Sequence, residues 1–160
     1  MKIRKILNAI AAMAAASCVT KSGVQFSPDQ KRAFFGAEEI LIGLDVAERK
    51  WSESGIQNYS FNICRGGVFG CSTYWVHING EACGMRLEKK IGIGSAISCK
   101  EAMMPSLFTE IRNEAGQDNY RIEATFDEEI GYLTSFSVEP RTDLTDQGWR
   151  IQISKFRVGR

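Results

Sequence analysis

Tyr59-Ser60-Phe61-Asn62-Ile63 and Tyr74-Trp75-Val76-His77-Ile78-Asn79-Gly80 are the two stretches on which the fold turns. In each, large apolar residues recur at every second position, the period at which strand side chains share one face of a sheet. The second stretch ends at Asn79-Gly80, a dipeptide that accepts the positive φ angles of a tight hairpin turn. Glu81–Leu87 therefore reads as the returning strand. Downstream, Tyr120–Phe126, Leu133–Val138 and Trp149–Val158 read as three more strands, with turns at Asp127–Tyr132 and near Asp143–Gly148.

Helical spacing occurs twice. Ser27-Pro28-Asp29-Gln30 has the residues of a helix start: an N-cap serine, a proline at the first helical position and a glutamine that completes a capping box. Phe34, Ala37, Ile40, Leu41, Leu44, Ala47 and Trp51 follow at spacings of three and four, which predicts a helix over 28–53 closed by Gly55. Pro105 opens a second, over 105–115, with Leu107, Phe108, Ile111 and Ala115 on one face and Gly116 as its stop. Helix, strands, helix, strands, with no βαβ alternation, predicts an α+β fold: an antiparallel sheet carrying both helices on one face, with Trp51 and Phe108 buried. Residues 88–103 are rich in Gly, Ile and Ser and show no clear period. Ile91, Ile93 and Ile97 in that segment fit either a partner-contact loop or an edge strand packed on the core.

Composition narrows the function classes. An apolar fraction of 44% is that of an ordinary globular chain, and 160 residues suffice for one domain with a real core. The formal charge of +1 comes from one end: Lys2, Arg4 and Lys5 stand among seventeen residues without an acid, and beyond them acids outnumber bases. Scattered single cations do not make a phosphate-binding surface, so nucleic acid is not an expected partner.

Met1–Lys5 is the basic n-region, and Ile6–Ala16 the short Ala-rich core, of an export signal. Eleven residues are too few for a membrane span, which needs about 20. Residues 1–17 thus read as signal peptide, 18–26 as tether and 27–160 as one α+β domain. Two cleavage schemes fit. Ala14-Ala15-Ala16 suits an ordinary signal peptidase, whereas Ala15-Ala16-Ser17-Cys18 resembles a lipobox, with Cys18 the residue that would carry lipid. Cysteine parity favours the lipobox: an oxidising compartment pairs thiols, and lipidation of Cys18 leaves four of the five. The rival is Cys18 as a free or intermolecular thiol. A lipid anchor would be the one membrane contact, on the periplasmic side of a bacterial envelope.

Cys64, Cys71, Cys83 and Cys99 allow three connectivities. The simplest pairs neighbours, Cys64–Cys71 around the Gly-rich loop Arg65–Gly70 and Cys83–Cys99 across the approach to the second helix. Zinc is disfavoured because no C-x₂-C occurs and His77 is the only histidine. Catalytic signatures are missing too: no G-x-S-x-G accompanies His77, and neither Gly66-Gly67 nor Gly92-Ile93-Gly94 is a phosphate loop. Asp127-Glu128-Glu129 lacks calcium-loop spacing and reads as a solvated turn. No metal or cofactor is expected. Trp75 and His77, on one face of their strand, are candidate contact residues together with Ile91 and Ile93.

Trp51, Asn58-Tyr59-Ser60-Phe61, Cys64 with Cys71, and Val76-His77-Ile78-Asn79-Gly80 form an ordered set of landmarks. The set continues through Leu107-Phe108 with Ile111, Asp127 with Gly131-Tyr132, and Trp149–Phe156. In these residues the chain resembles the exported bacterial domain-of-unknown-function family 6174. Leu133 and Glu128 stand where that pattern has proline. The resemblance implies location and architecture, not an activity. The expectation is a non-enzymatic binding or inhibitor-like envelope module that contacts an envelope protein or small ligand. The alternative is a cell-envelope hydrolase using carboxylates such as Glu123 with Asp127.

Overall fold

The computed structural model describes residues 31–117, 120–140 and 148–159. The expected signal peptide, Cys18, the tether and the Ser27–Gln30 helix start lie outside them. Seven strands form one antiparallel sheet: β1 (Lys31–Phe35), β2 (Asn58–Gly67), β3 (Gly70–Asn79), β4 (Ala82–Gly92), β5 (Tyr120–Asp127), β6 (Leu133–Pro140) and β7 (Trp149–Val158). Their spatial order is β1-β5-β6-β7-β2-β3-β4. Helices α1 (Ala37–Ser54) and α2 (Met104–Ala115) pack on one face. The architecture is therefore two units, each a helix followed by a three-stranded meander, joined where β7 pairs with β2. The three strands expected after each helix are all present.

Residues 31–35 correct the sequence reading, which placed them in the first helix. They form a strand against β5, with Phe34 opposite Ala124. The error has a physical cause. Phe34 and Ala37 are three apart and both face the core, so a strand residue mimicked the start of a helical stripe. Gly36, at φ 82°, makes the turn between the elements and leaves α1 without a side-chain cap. The strand is needed where it is: the Phe34 ring packs over Gly43, where a Cβ would come within 2.6 Å of it.

Ile40, Leu44, Ala47 and Trp51 form the buried stripe of α1, and Met104, Leu107, Phe108, Ile111 and Ala115 that of α2. Both meet Tyr59, Phe61, Ile63, Val76, Phe136 and Ile151 from the sheet. Lacking a side-chain cap of its own, α2 donates its Met104 N–H to the Tyr59 hydroxyl (3.2 Å), which ties the second unit to the first. A bulge in β7 completes the core. Lys155, at φ 53°, inserts an extra residue opposite Phe61, so Ile153 and Phe156, three apart, both turn inward. Phe156 then stacks on Tyr132 (4.1 Å between ring centres), and burial pushes the Tyr132 phenol up to about 12.

One row across the sheet shows where the helices stop covering it. Phe34, Ala124, Phe136 and Ile151 pair successively, then Arg65, Ser72 and Lys90. The row is apolar over β1, β5, β6 and β7 and polar from β2 outward. Arg65 still meets Glu110 of α2, and Ser72 is buried, so the cover ends beyond them. The outer corner, at Lys90 and the β2–β3 turn, is bare.

Candidate functional site

The bare corner is built from two turns. Val68 and Phe69 are the two residues between the paired Gly67 and Gly70 at the end of the β2–β3 hairpin. Beside them β4 runs out through Ile91 and Gly92, and the Ile93 N–H donates to the Phe69 carbonyl (3.0 Å). Gly92, at φ 64°, lies so close to Phe69 that a side chain would meet the carbonyl at 2.0 Å, so only glycine lets the two turns touch. Four large apolar side chains consequently stand together in solvent: Val68, Phe69 (63% exposed), Ile91 and Ile93 (81% exposed). Leu87, further down β4, is also half exposed.

Two disulfides hold this region. Cys64 is bonded to Cys71 across the β2–β3 hairpin, Cα atoms 5.9 Å apart, directly behind the Val68–Phe69 turn. Cys83 is bonded to Cys99, also 5.9 Å apart, and anchors the segment between β4 and α2. That segment places the three isoleucines differently. Ile97 is core, while Ile91 lies on the edge strand and Ile93 just beyond it, both in solvent. Val68 and Phe69 were visible in the sequence only as the middle of a Gly-rich loop. The signal that marks them is the type of residue: a two-residue turn ordinarily selects Gly, Asn or Asp.

Trp75 and His77 lie on the opposite face of the sheet from the helices. Their rings are parallel, 5.7 Å between centres, and the Arg86 guanidinium lies 5.6 Å from the Trp75 ring. Neighbouring Asn62 donates to the Glu88 carboxylate (3.0 Å). His77 is exposed, and its described ring contact is with Trp75. Ile91, opposite Cys71, shares that sheet face with Trp75 and His77 but lies nearer the β2–β3 turn.

The carboxylates fall in two places. Glu123 and Asp127 are four residues apart on β5, about 13 Å along an extended strand and too far for a glycosidase pair, whose limit is near 9.5 Å. Asp127 is also buried and committed. Its Oδ1 accepts the N–H groups of Glu129 (3.0 Å) and Ile130 (2.8 Å), so the expected turn is solvated at Glu128 and Glu129 but built around a buried acceptor. Lys50 closes the turn by donating to the Glu128 carbonyl. A different cleft, about 290 Å³, gathers Glu101, Glu110 and Glu114 beside Arg65. Arg65 forks onto Glu110 at 2.6 and 3.3 Å and stacks over Trp149. Burial nevertheless pushes the Glu110 carboxyl above its ordinary value, by more than Arg65 pulls it down. Ser98, through its hydroxyl and then its backbone, holds Glu101 below its own. Among the described residues no three His, Cys, Asp or Glu side chains converge as a metal site.

The raised Glu110 has a measurable consequence. The folded chain keeps this proton to higher pH than the unfolded one, so stability relative to Glu110→Gln falls as pH rises from 4.5 through the raised value. Urea unfolding of both proteins at acid and neutral pH checks this. The wild type should lose ground to the variant at neutral pH, and a flat or opposite difference would show that Arg65, not burial, governs the site.

The class these features define is a disulfide-stapled antiparallel α+β module with one uncovered, apolar sheet corner. Paired cysteines are the chemistry of an oxidising compartment. Residues 43–158, from the middle of α1 to the end of β7, match the model of a family of unknown function (DUF6174), and the chain belongs to that family. No curated protein matches the sequence.

Proposed function

We propose that this chain is a non-enzymatic binding module of the bacterial envelope and that Val68, Phe69, Ile91 and Ile93 form its contact surface. The observation that carries this is the exposure of all four on a corner locked by Cys64–Cys71. Each apolar Å² left in water forgoes about 25 cal/mol, and a contiguous patch usually marks a contact. A staple directly behind the patch lowers the ordering cost of binding.

The expected location is the periplasmic side of the envelope, with residues 1–17 removed.

A photoreactive amino acid at position 69 in the exported chain tests the reading. It should yield discrete adducts in intact cells, and a probe at position 77 should not. Phe69→Ser with Ile93→Ser should abolish the adducts formed by a probe at position 91 and leave stability within about 0.5 kcal/mol, as for exposed substitutions generally. Adducts that survive this pair of changes would overturn the proposal.

The carboxylate-hydrolase alternative no longer rests on Glu123 with Asp127. Its support is the cleft where Glu110 and Glu101 are pushed to opposite sides of their ordinary values. Cell-wall hydrolysis by the wild type that disappears in Glu110→Gln would favour it over binding.

A further inference from the structure

Strand β4 closes one end of the sheet order, and among the described residues no strand pairs with its outer edge. Every residue from Arg86 to Ile93 is exposed, so the unpaired backbone groups of this edge are open to a partner. A long open edge is a template for strand addition unless something blocks it. The edge holds no proline, its bulge at Glu88 leaves the pairing with β3 intact on both sides, and the charges it carries, Arg86, Lys89 and Lys90, bar a cationic strand but not an acidic one.

From the binding-module reading, on which this inference rests, we infer that the partner supplies an extended acidic and apolar segment, which adds to β4 as an eighth strand. Charge selects its chemistry. Arg86, Lys89 and Lys90 line the edge, and the one acid among them, Glu88, is already engaged by Asn62 and Arg86. Leu87, Ile91 and Ile93 supply apolar contacts along the same line. A strand with carboxylates facing the lysines and apolar residues facing the isoleucines satisfies backbone, charge and apolar surface together. A second copy fits worse. The antiparallel register that sets Leu87 opposite Ile91 of another β4 also sets Lys89 opposite Lys89. The other end strand among the described residues, β1, carries Lys31 and Arg32 and would bring cations to cations.

Lys89 and Ile91 share one face of β4 and Lys90 and Leu87 the other, so hydrogen exchange of the full exported chain tests this with a probe peptide of about eight residues in which pairs of Glu alternate with pairs of Val. The amides of Arg86–Ile91 that face away from β3 should exchange roughly tenfold more slowly with the peptide present. A Lys/Val peptide should give no protection. Lys89→Glu with Lys90→Glu should reverse the preference. Protection that grows with protein concentration alone would assign the edge to a second copy, and protection in the presence of anionic lipid vesicles but not peptide would assign it to a membrane. Either result, or no protection of β4 at all, overturns the inference. The position-69 adducts are read independently, so strand addition can fail while the binding reading stands.

Discussion

Trp51→Ala should lower stability by about 3–5 kcal/mol, as truncation of a buried aromatic generally does. Trp51 stands on the last turns of α1 and meets Tyr59 edge-on at 5.0 Å and Phe156 at 6.1 Å. Tyr59, Phe61 and Phe156 stack on one another, and Tyr132 stacks on Phe156. The indole thus seals a cluster drawn from α1, β2 and β7, and rings held from several directions cannot collapse into the space it leaves. Against a total of roughly 5–15 kcal/mol, such a loss leaves a marginal fold. Urea denaturation followed by circular dichroism measures it. A loss below about 1 kcal/mol would mean that the cluster closes over the gap and that α1 is held mainly by Ile40 and Leu44.

Replacing Cys83 and Cys99 together by Ala should cost about 3 kcal/mol, and replacing Cys64 and Cys71 about 2.5, by the loop-entropy relation for sequence separations of 16 and 7. The structural consequences should differ more than the energies. Cys64–Cys71 spans a hairpin whose strands are paired along their whole length, so its loss should leave the sheet intact. Cys83–Cys99 holds a segment with no pairing of its own between β4 and α2. Without it, amide exchange should rise across residues 93–103, and Ile97 should lose protection. Equal exchange profiles in the two double variants would show that Ile97 packing, not the bridge, fixes that segment.

Strands β2 and β3 were legible because alternation over five residues reports a strand with one buried face. The stripe of α1 from Ala37 and that of α2 were legible for the corresponding reason. Phe34 was misread because a single inward side chain carries no period. Whether it belongs to a helix or a strand depends on Gly36 and on β5, nearly ninety residues away. The site was half legible. Ile91 and Ile93 stood out as apolar residues among glycines, but Val68 and Phe69 became part of the same surface only when the hairpin placed Phe69 against Ile93. Glu123 and Asp127 were close in sequence and acidic, yet an extended strand separates such residues, whereas Glu101 and Glu110 share a cleft across the start of α2.

What the sequence determined by itself is whatever short-range periodicity and covalent chemistry encode: antiparallel strands beyond each helix, which helix and strand faces are apolar, and an even set of cysteines once Cys18 is set apart. Tertiary structure alone decided the order β1-β5-β6-β7-β2-β3-β4, the bulge that turns Phe156 inward, and the corner the helices leave bare. The physical reason is that a strand's alternation says which of its faces is buried but not which strand lies beside it. A residue's exposure depends on that neighbour, and on how far a helix of twelve or eighteen residues reaches across seven strands.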